Sequence, residues 1–323
     1  MMPSSQFQLS HSGLCLCGTP DTTFGANGTW LSPRQSFAKA RGIVETIKSK
    51  AATAAIKVHH LRGNIAVLEG SGGNIAVQAG RAGKVLVDAG IAVSRPQVAS
   101  ALATLGPEPV THLINTHWHF DHADGNAWLH ELSPTIIAHV NTRRHLSTTQ
   151  RVEDWDFDFV PLPDAALPTE VFATDHRLSL DGANLALRYY GPAHTDSDIS
   201  VHFEEPDVLH VADTYWNGVY PFIDYSTGGG IDGSIRAAEA NLAQATESTI
   251  VIPGHGYPVS DRAGLQRFRD MLVTVRDKVA ALKAQGRSLE EIVAARPTAA
   301  FDEVWGRFVI TPALFTRLVH EGV

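Results

Sequence analysis

Four side chains able to hold a metal ion stand within six residues, His117, His119, Asp121 and His122, in the pattern H-x-H-x-D-H. Imidazole and carboxylate together suit zinc and related divalent ions. Residues i and i+2 project to the same side of an extended chain, so His117 and His119 can grip one ion. Asp121 and His122, where the chain turns toward a helix, can reach a second. Three further candidates follow apolar runs elsewhere: His194 in Gly191-Pro192-Ala193-His194-Thr195-Asp196, Asp213 after residues 208–212, and His255 after residues 249–252. Each stands at the carboxyl end of its run, where loops gather side chains into one mouth.

These residues need strands to carry them. The apolar run Val110–Asn115 reads as a buried strand ending at the histidine motif, and a strand at Lys84–Val87 ends in Asp88-Ala89-Gly90. Between them the spacing predicts a helix over 95–105, with Pro96 in its first turn and Gly106 just beyond its end. Strand, helix and strand in this order suggest an α/β layer. Upstream, alternation begins at Ile56. The pentad Gly63-Asn64-Ile65-Ala66-Val67 then recurs as Gly73-Asn74-Ile75-Ala76-Val77, a β-hairpin rather than a repeat array. A short helix is predicted over 125–132 and a strand over 135–140.

Residues 141–175 break the pattern with Trp155, Phe157, Phe159 and three prolines and read as a long loop of the kind that is usually functional. Strands are predicted over 178–180, 183–190, 198–203, 208–212 and 249–252, and a helix over 234–245, after an aromatic, Gly-rich connection over 215–230. Beyond Gly256, Leu265, Phe268, Leu272, Val275, Val279 and Leu282 form one helical stripe that Gly286 stops. Ser288 and Glu291 have capping-box spacing, and Thr311-Pro312 opens a terminal helix.

The chain has 323 residues, 26 basic and 34 acidic, for a net charge of −8, and 44% are hydrophobic. That balance argues against a phosphate-coating nucleic-acid binder. No apolar run approaches the length that spans a bilayer, about 18 residues or more. Cys15 and Cys17 lie in a Gly- and Ser-rich lead-in, so disulfides do not build the core. The first basic residue is Arg34, which disfavours a secretory signal and makes a cytoplasmic location the expectation. The expected organisation is an N-terminal extension over 1–54, a core over 55–258, and a helical segment over 259–323 packed on that core.

Taken together, the Asp88-Ala89-Gly90 strand end, Thr116-His117-Trp118-His119-Phe120-Asp121-His122, the segment from Gly191 to Asp198, Val211-Ala212-Asp213-Thr214-Tyr215 and Pro253-Gly254-His255-Gly256 resemble the metallo-β-lactamase superfamily of metal-dependent hydrolases. The resemblance extends over residues 56–256. It implies an α/β fold, an αββα four-layer sandwich with extra C-terminal helices, and a dinuclear site at one edge. It implies that His117, His119 and His194 bind one ion, that Asp121, His122 and His255 bind the other, and that Asp213 bridges them. It places Asp88 behind the ligands, holding them or their loop. Asp213 stands where one lactamase branch has a cysteine, and His119 where the flavodiiron branch has glutamate. AHL-type lactonases place a tyrosine three residues after the bridging aspartate, whereas Tyr215 is two after it.

Two zinc ions per chain are therefore expected, with iron or manganese as alternatives. A metal-bound hydroxide, oriented by Asp121, would attack the carbonyl of a small acyl substrate, an ester, lactone, thioester or amide. Trp118, Phe120, Tyr215, Trp216 and Tyr220 are the candidates to line its pocket, with at least half of the neighbouring aromatics expected to pack the core instead. A β-lactam is the next substrate to consider. A mononuclear-iron persulfide dioxygenase is the rival chemistry on the same scaffold. Neither nucleic acid nor membrane is expected as a partner, while a homo-oligomer is compatible with the long helical tail.

Overall fold

The computed structural model describes residues 42–180 and 183–323. Its first sheet has seven strands: β1 (Lys57–His60), β2 (Ile65–Glu69), β3 (Ile75–Ala79), β4 (Lys84–Val87), β5 (Val110–Asn115), β6 (Thr135–His139) and the edge strand β9 (Glu170–Phe172). The first four pair antiparallel, and β4, β5, β6 and β9 run parallel. A second sheet holds β10 (His176–Leu180), β11 (Ala183–Tyr189), β12 (Ile199–Phe203), β13 (Val208–Asn217) and β14 (Ile250–Gly256), antiparallel up to β13, with β14 parallel to it.

Period-two alternation sorts the side chains of each sheet onto two faces. Val67, Ala76, Val85, Val87, Ile114 and Ile137 point inward and meet Leu185, Leu187, Val201, Phe203 and Ile252 of the second sheet. Their neighbours Leu68, Ile75, Val77, Leu86 and Leu113 point outward against Val98, Ala101 and Leu102 of the helix Arg95–Thr104 and against Trp128 and Leu129. Outside the second sheet, Leu209, Val211 and Val251 meet the helices Ile231–Gln244, Arg262–Ala284 and Pro312–Glu321. The order of layers is helix, sheet, sheet, helix, with the C-terminal helices forming part of the last layer.

The helical stripe of 265–282 is buried in the long helix Arg262–Ala284, which Asp261 caps by accepting the backbone N–H of Gly264 at 2.7 Å. Ser288 and Glu291 form a complete capping box, and the Thr311 side chain caps the terminal helix. Two expectations change. Residues 141–175 are not one loop: they hold the helix Val140–Leu146, a hairpin of β7 (Gln150–Val152) and β8 (Phe157–Phe159), and β9. The strand predicted over 208–212 continues to Asn217, so the connection after Asp213 starts later than expected.

In the segment read as an extension, the helix Ile43–Ala51 packs Val44 and Ala51 with Ile91 and Phe120. The sequence also predicts a short helix over 35–50, whose start lies outside the described residues, as do Cys15 and Cys17. Among the described residues no helix is long and apolar enough to cross a membrane.

Candidate metal centre

Five strand ends or the turns after them converge at one edge of the sandwich. β4 delivers Asp88, β5 delivers His117 and His119 and leads into the short helix Phe120–Ala123 with Asp121 and His122, the turn after β11 delivers His194, and β13 and β14 carry Asp213 and His255. The strand β13 breaks register at Ala212, whose φ of 45° lies in the left-handed region that non-glycine residues rarely occupy. That break turns Asp213 into the cluster. The hairpin turn before β3 presses so close that a Cβ on Gly73 would lie 2.1 Å from His122 Cε1, and one on Gly254 would lie 1.9 Å from Asp213 Oδ1. Glycine is required at both positions.

The cluster falls into two groups, His117, His119, His194 and Asp213 in one, and Asp121, His122 and His255 in the other. Within each, one ligand atom per residue lies within 4.8 Å of the rest. In the first, His194 Nε2 is 2.8 Å from His119 Nδ1 and 3.3 Å from Asp213 Oδ2. In the second, His255 Nε2 is 3.2 Å from Asp121 Oδ2 and 3.3 Å from His122 Nε2. Asp213 reaches both, with Oδ1 3.0 Å from His122 Nε2 and Oδ2 3.4 Å from His255 Nε2.

The outer nitrogens assign the tautomers. His119 Nε2 donates to Asp224 Oδ2 at 3.0 Å, His194 Nδ1 to the Phe222 carbonyl at 2.8 Å, and His122 Nδ1 to Asp88 Oδ2 at 2.8 Å. Thr116 donates its hydroxyl to Asp88, so its oxygen accepts from His117 Nδ1 at 3.1 Å. Each of these four rings, when neutral, therefore aims a bare lone pair into the cluster. His117 Nε2 is buried without a hydrogen-bond partner. Converging unpaired lone pairs in a buried site call for cations, and imidazole with carboxylate fits zinc, iron or manganese.

The electrostatics of the two groups differ. Burial drives the pKa of His117 well below its ordinary value and lowers that of His194 to about 4, so both rings are neutral. Burial acts the same way on His255 and His122, but the carboxylates of Asp213, Asp121 and, for His122, Asp88 outweigh it. They push His255 up to about 10 and His122 well above its ordinary value. Burial would raise Asp121, yet His122 and His255 hold it down at about 2. In the second group protons stand where a cation would.

Asp224 is a site residue that the sequence does not mark. It lies in the connection after β13, accepts from His119, from the backbone N–H and hydroxyl of Ser226, and from Thr227 Oγ1 at 2.6 Å. Burial opposes its charge, and these hydrogen bonds with His119 outweigh burial and hold its carboxyl below the usual range. The Trp118 indole in turn donates to Thr227 Oγ1 at 3.1 Å. An aspartate followed by Ser and Thr is a common turn signal, which is why it carried no functional weight.

Of the five aromatic residues expected around the substrate, Trp216 lies against the cluster, its ring 4.3 Å from that of His255. Tyr215, next on the strand, faces the opposite side, packs on Phe268 and shares hydrogen bonds with Asn217 and Ser260. Tyr220 stacks on Phe315 and donates to the Thr298 carbonyl and Asp302. Both tyrosines belong to the helical layer because alternation along β13 and the following turn directs them there. Trp118 is buried 4.7 Å from His119, and Phe120 is buried beside Val44. Two residues from the 141–175 and C-terminal segments come close as well: Trp155, 5.5 Å from His119 and 4.9 Å from Phe222, and Phe308, 6.0 Å from Trp216.

Comparison with known proteins places the fold in a family. The family model described as the metallo-beta-lactamase superfamily matches residues 68–280. Among solved structures, the DIM-1 metallo-beta-lactamase is similar at 21% identity and a TM-score of 0.54, covering 68% of this chain and 98% of its own. A metallo-beta-lactamase from Pontibacter korlensis is similar at 16% identity, TM-score 0.53, over 67% of this chain and 98% of its own. The stereoselective inverting sec-alkylsulfatase Pisa1 from Pseudomonas sp. is similar at 15% identity and a TM-score of 0.61 over 95% of this chain, which spans 57% of the sulfatase.

Proposed function

The chain belongs to the metallo-beta-lactamase superfamily, and from that premise we propose that it is a metal-dependent hydrolase of small acyl compounds whose cluster holds two divalent ions, zinc first. The observation that carries the reading is the set of seven residues in two groups with Asp213 common to both. Two such ions would supply a water with a pKa near 7 and a Lewis acid for a carbonyl oxygen, roughly as known for zinc hydrolases.

The chain's own residues then have definite tasks. Asp88, Thr116, Asp224 and the Phe222 carbonyl fix the ring tautomers so that the inward nitrogens are free to ligate. Asp121 is the most open of the seven, with 13% of its side chain exposed, and its low pKa keeps it ionised, so it can orient a water by accepting its hydrogen bond. No serine or cysteine nucleophile is required. The substrate is an ester, lactone, thioester or amide, with a β-lactam as one form of the last.

The rival reading, a persulfide dioxygenase with one iron, needs only a single set of ligands. The close approach of Asp121, His122 and His255 favours two ions. Elemental analysis of the purified protein, followed by turnover of a panel of esters, lactones, thioesters and nitrocefin before and after chelation, tests the proposal. Two ions per chain and activity that disappears with the metal are expected. Undiminished hydrolysis after complete chelation, or a single iron with oxygen consumption on persulfide, would overturn it.

A further inference from the structure

Two additions to the sandwich meet at the metal centre. One is the hairpin of β7 and β8, whose turn carries Trp155, and the other is the C-terminal segment, which carries Phe308. Trp155 packs 5.5 Å from His119 and 4.9 Å from Phe222, on the side of the first group. Phe308 packs 6.0 Å from Trp216, which covers His255 on the side of the second group. Trp155 and Phe308 are each only partly buried, and both border the same cluster of apolar side chains. Asp154, next to Trp155, pairs with Arg317 of the terminal helix at 2.6 Å, tying the hairpin to the C-terminal segment.

The charge around the cluster is also informative. Asp88, Asp121, Asp213 and Asp224 are all buried around the cluster. Every ion pair that the seven cluster residues form among the described residues is between histidine and aspartate, with no lysine or arginine. The described residues thus pair no lysine or arginine with the seven cluster residues that could hold a sulfate or phosphate monoester there. An uncharged group flanked by apolar arms would meet an aromatic wall on either side.

We propose that the substrate is an uncharged carboxylic ester or lactone with an apolar group on each side of its carbonyl, one against Trp155 and Phe222, the other against Trp216 and Phe308. This rests on the hydrolase reading and adds its specificity. Trp155 and Phe308 determine that specificity through contact with the apolar arms.

The test uses the full-length zinc-loaded protein with p-nitrophenyl acetate, p-nitrophenyl octanoate and octyl sulfate. The octanoate ester should exceed the acetate by about tenfold or more in kcat/KM, and octyl sulfate should not be cleaved. Trp155→Ala and Phe308→Ala should each raise KM for the octanoate by about tenfold, with Trp155→Phe restoring most of it. Binding of 1-octanol, followed by tryptophan emission, should weaken similarly in Phe308→Ala and reads the wall without turnover. Equal use of acetate and octanoate with unchanged KM in both variants would overturn the specificity and leave the hydrolase reading standing. Octyl sulfate cleaved faster than the octanoate would overturn the uncharged substrate. If no carboxylic ester is cleaved but a thioester or nitrocefin is, the ester specificity fails and the hydrolase reading stands, and octanol binding unaffected by Phe308→Ala would remove the wall as well.

Discussion

At the scale of residues, the centre depends on groups outside the seven cluster residues. Asp224 holds the His119 ring by its outer nitrogen. Replacing it with asparagine keeps the shape but removes the charge that favours Nε2–H, and lets an amide N–H face the ring. Asp224→Asn should lower metal affinity by about ten- to a hundredfold, as with other outer partners of ligating histidines. Competition against a chromophoric chelator measures this, and unchanged affinity would show that the fold alone orients His119. The two groups should also differ in their proton balance. His117 and His194 are already neutral, whereas His255 and His122 are protonated at neutral pH without metal. Ligation requires neutral imidazole, so His122 and His255 of the second group should release about two protons on filling, and His117 and His194 of the first about none. Calorimetry in buffers of different ionisation enthalpy counts them. The sign for stability follows. The pKa of His255 is raised from 6.5 to about 10, so its contribution is fully present below 6.5 and fades as pH rises through 10. Metal-free protein should therefore lose stability over that window.

At the scale of elements, the glycine turns do what no side chain could. Gly73→Ala places a methyl carbon against the His122 ring, where the hairpin backbone also donates from Gly73 N to the Asp121 carbonyl at 3.0 Å. Either the turn or the ring must move, at a cost of about 1–3 kcal/mol, and metal analysis should find the second ion lost. Gly286→Ala is the contrast. It has open space but a φ of 77°, so it should cost about 1 kcal/mol without changing metal content. This distinction explains what was readable in the residues. The ligands stand at strand ends because the apolar runs before them must be buried, and alternation and capping mark where those runs stop. The pentad repeat at Gly63 and Gly73 marked a hairpin, and its pairing, Val67 with Ala76, followed. What was not readable came from tertiary contact. The short strands β7 and β8 have three residues each and no period long enough to stand out. The continuation of β13 past Asp213 depends on a break at Ala212 that only its partner strand imposes. Asp224 finds its role through a histidine more than a hundred positions away.

At the scale of the whole molecule, the C-terminal helices cover the outer face of the second sheet, and the turn before the last of them brings Phe308 to Trp216. Val211, Val251, Phe268, Leu272, Phe315 and Trp305 share one buried cluster, so the helical segment and the sheet complete each other's core. The hairpin of β7 and β8 belongs to the first half of the chain, and its link to the terminal helix is the pair of Asp154 and Arg317, whose side chains are 25% and 20% exposed. A pair this accessible contributes about 1 kcal/mol or less to global stability. Its local effect should be larger, because a two-stranded hairpin alone is marginal in water. Asp154→Ala should therefore move Tm by only a few degrees while amide exchange over residues 150–159 accelerates severalfold and exchange in β5 and β13 stays as it was. The same variant should weaken the hold of Trp155 beside His119 and raise KM for esters with long apolar arms more than for short ones. Unaltered exchange in the hairpin would mean that Trp155, Phe157 and Phe159 anchor it by packing alone. In that case the terminal helix would contribute to the core but would have no hold on the wall beside His119.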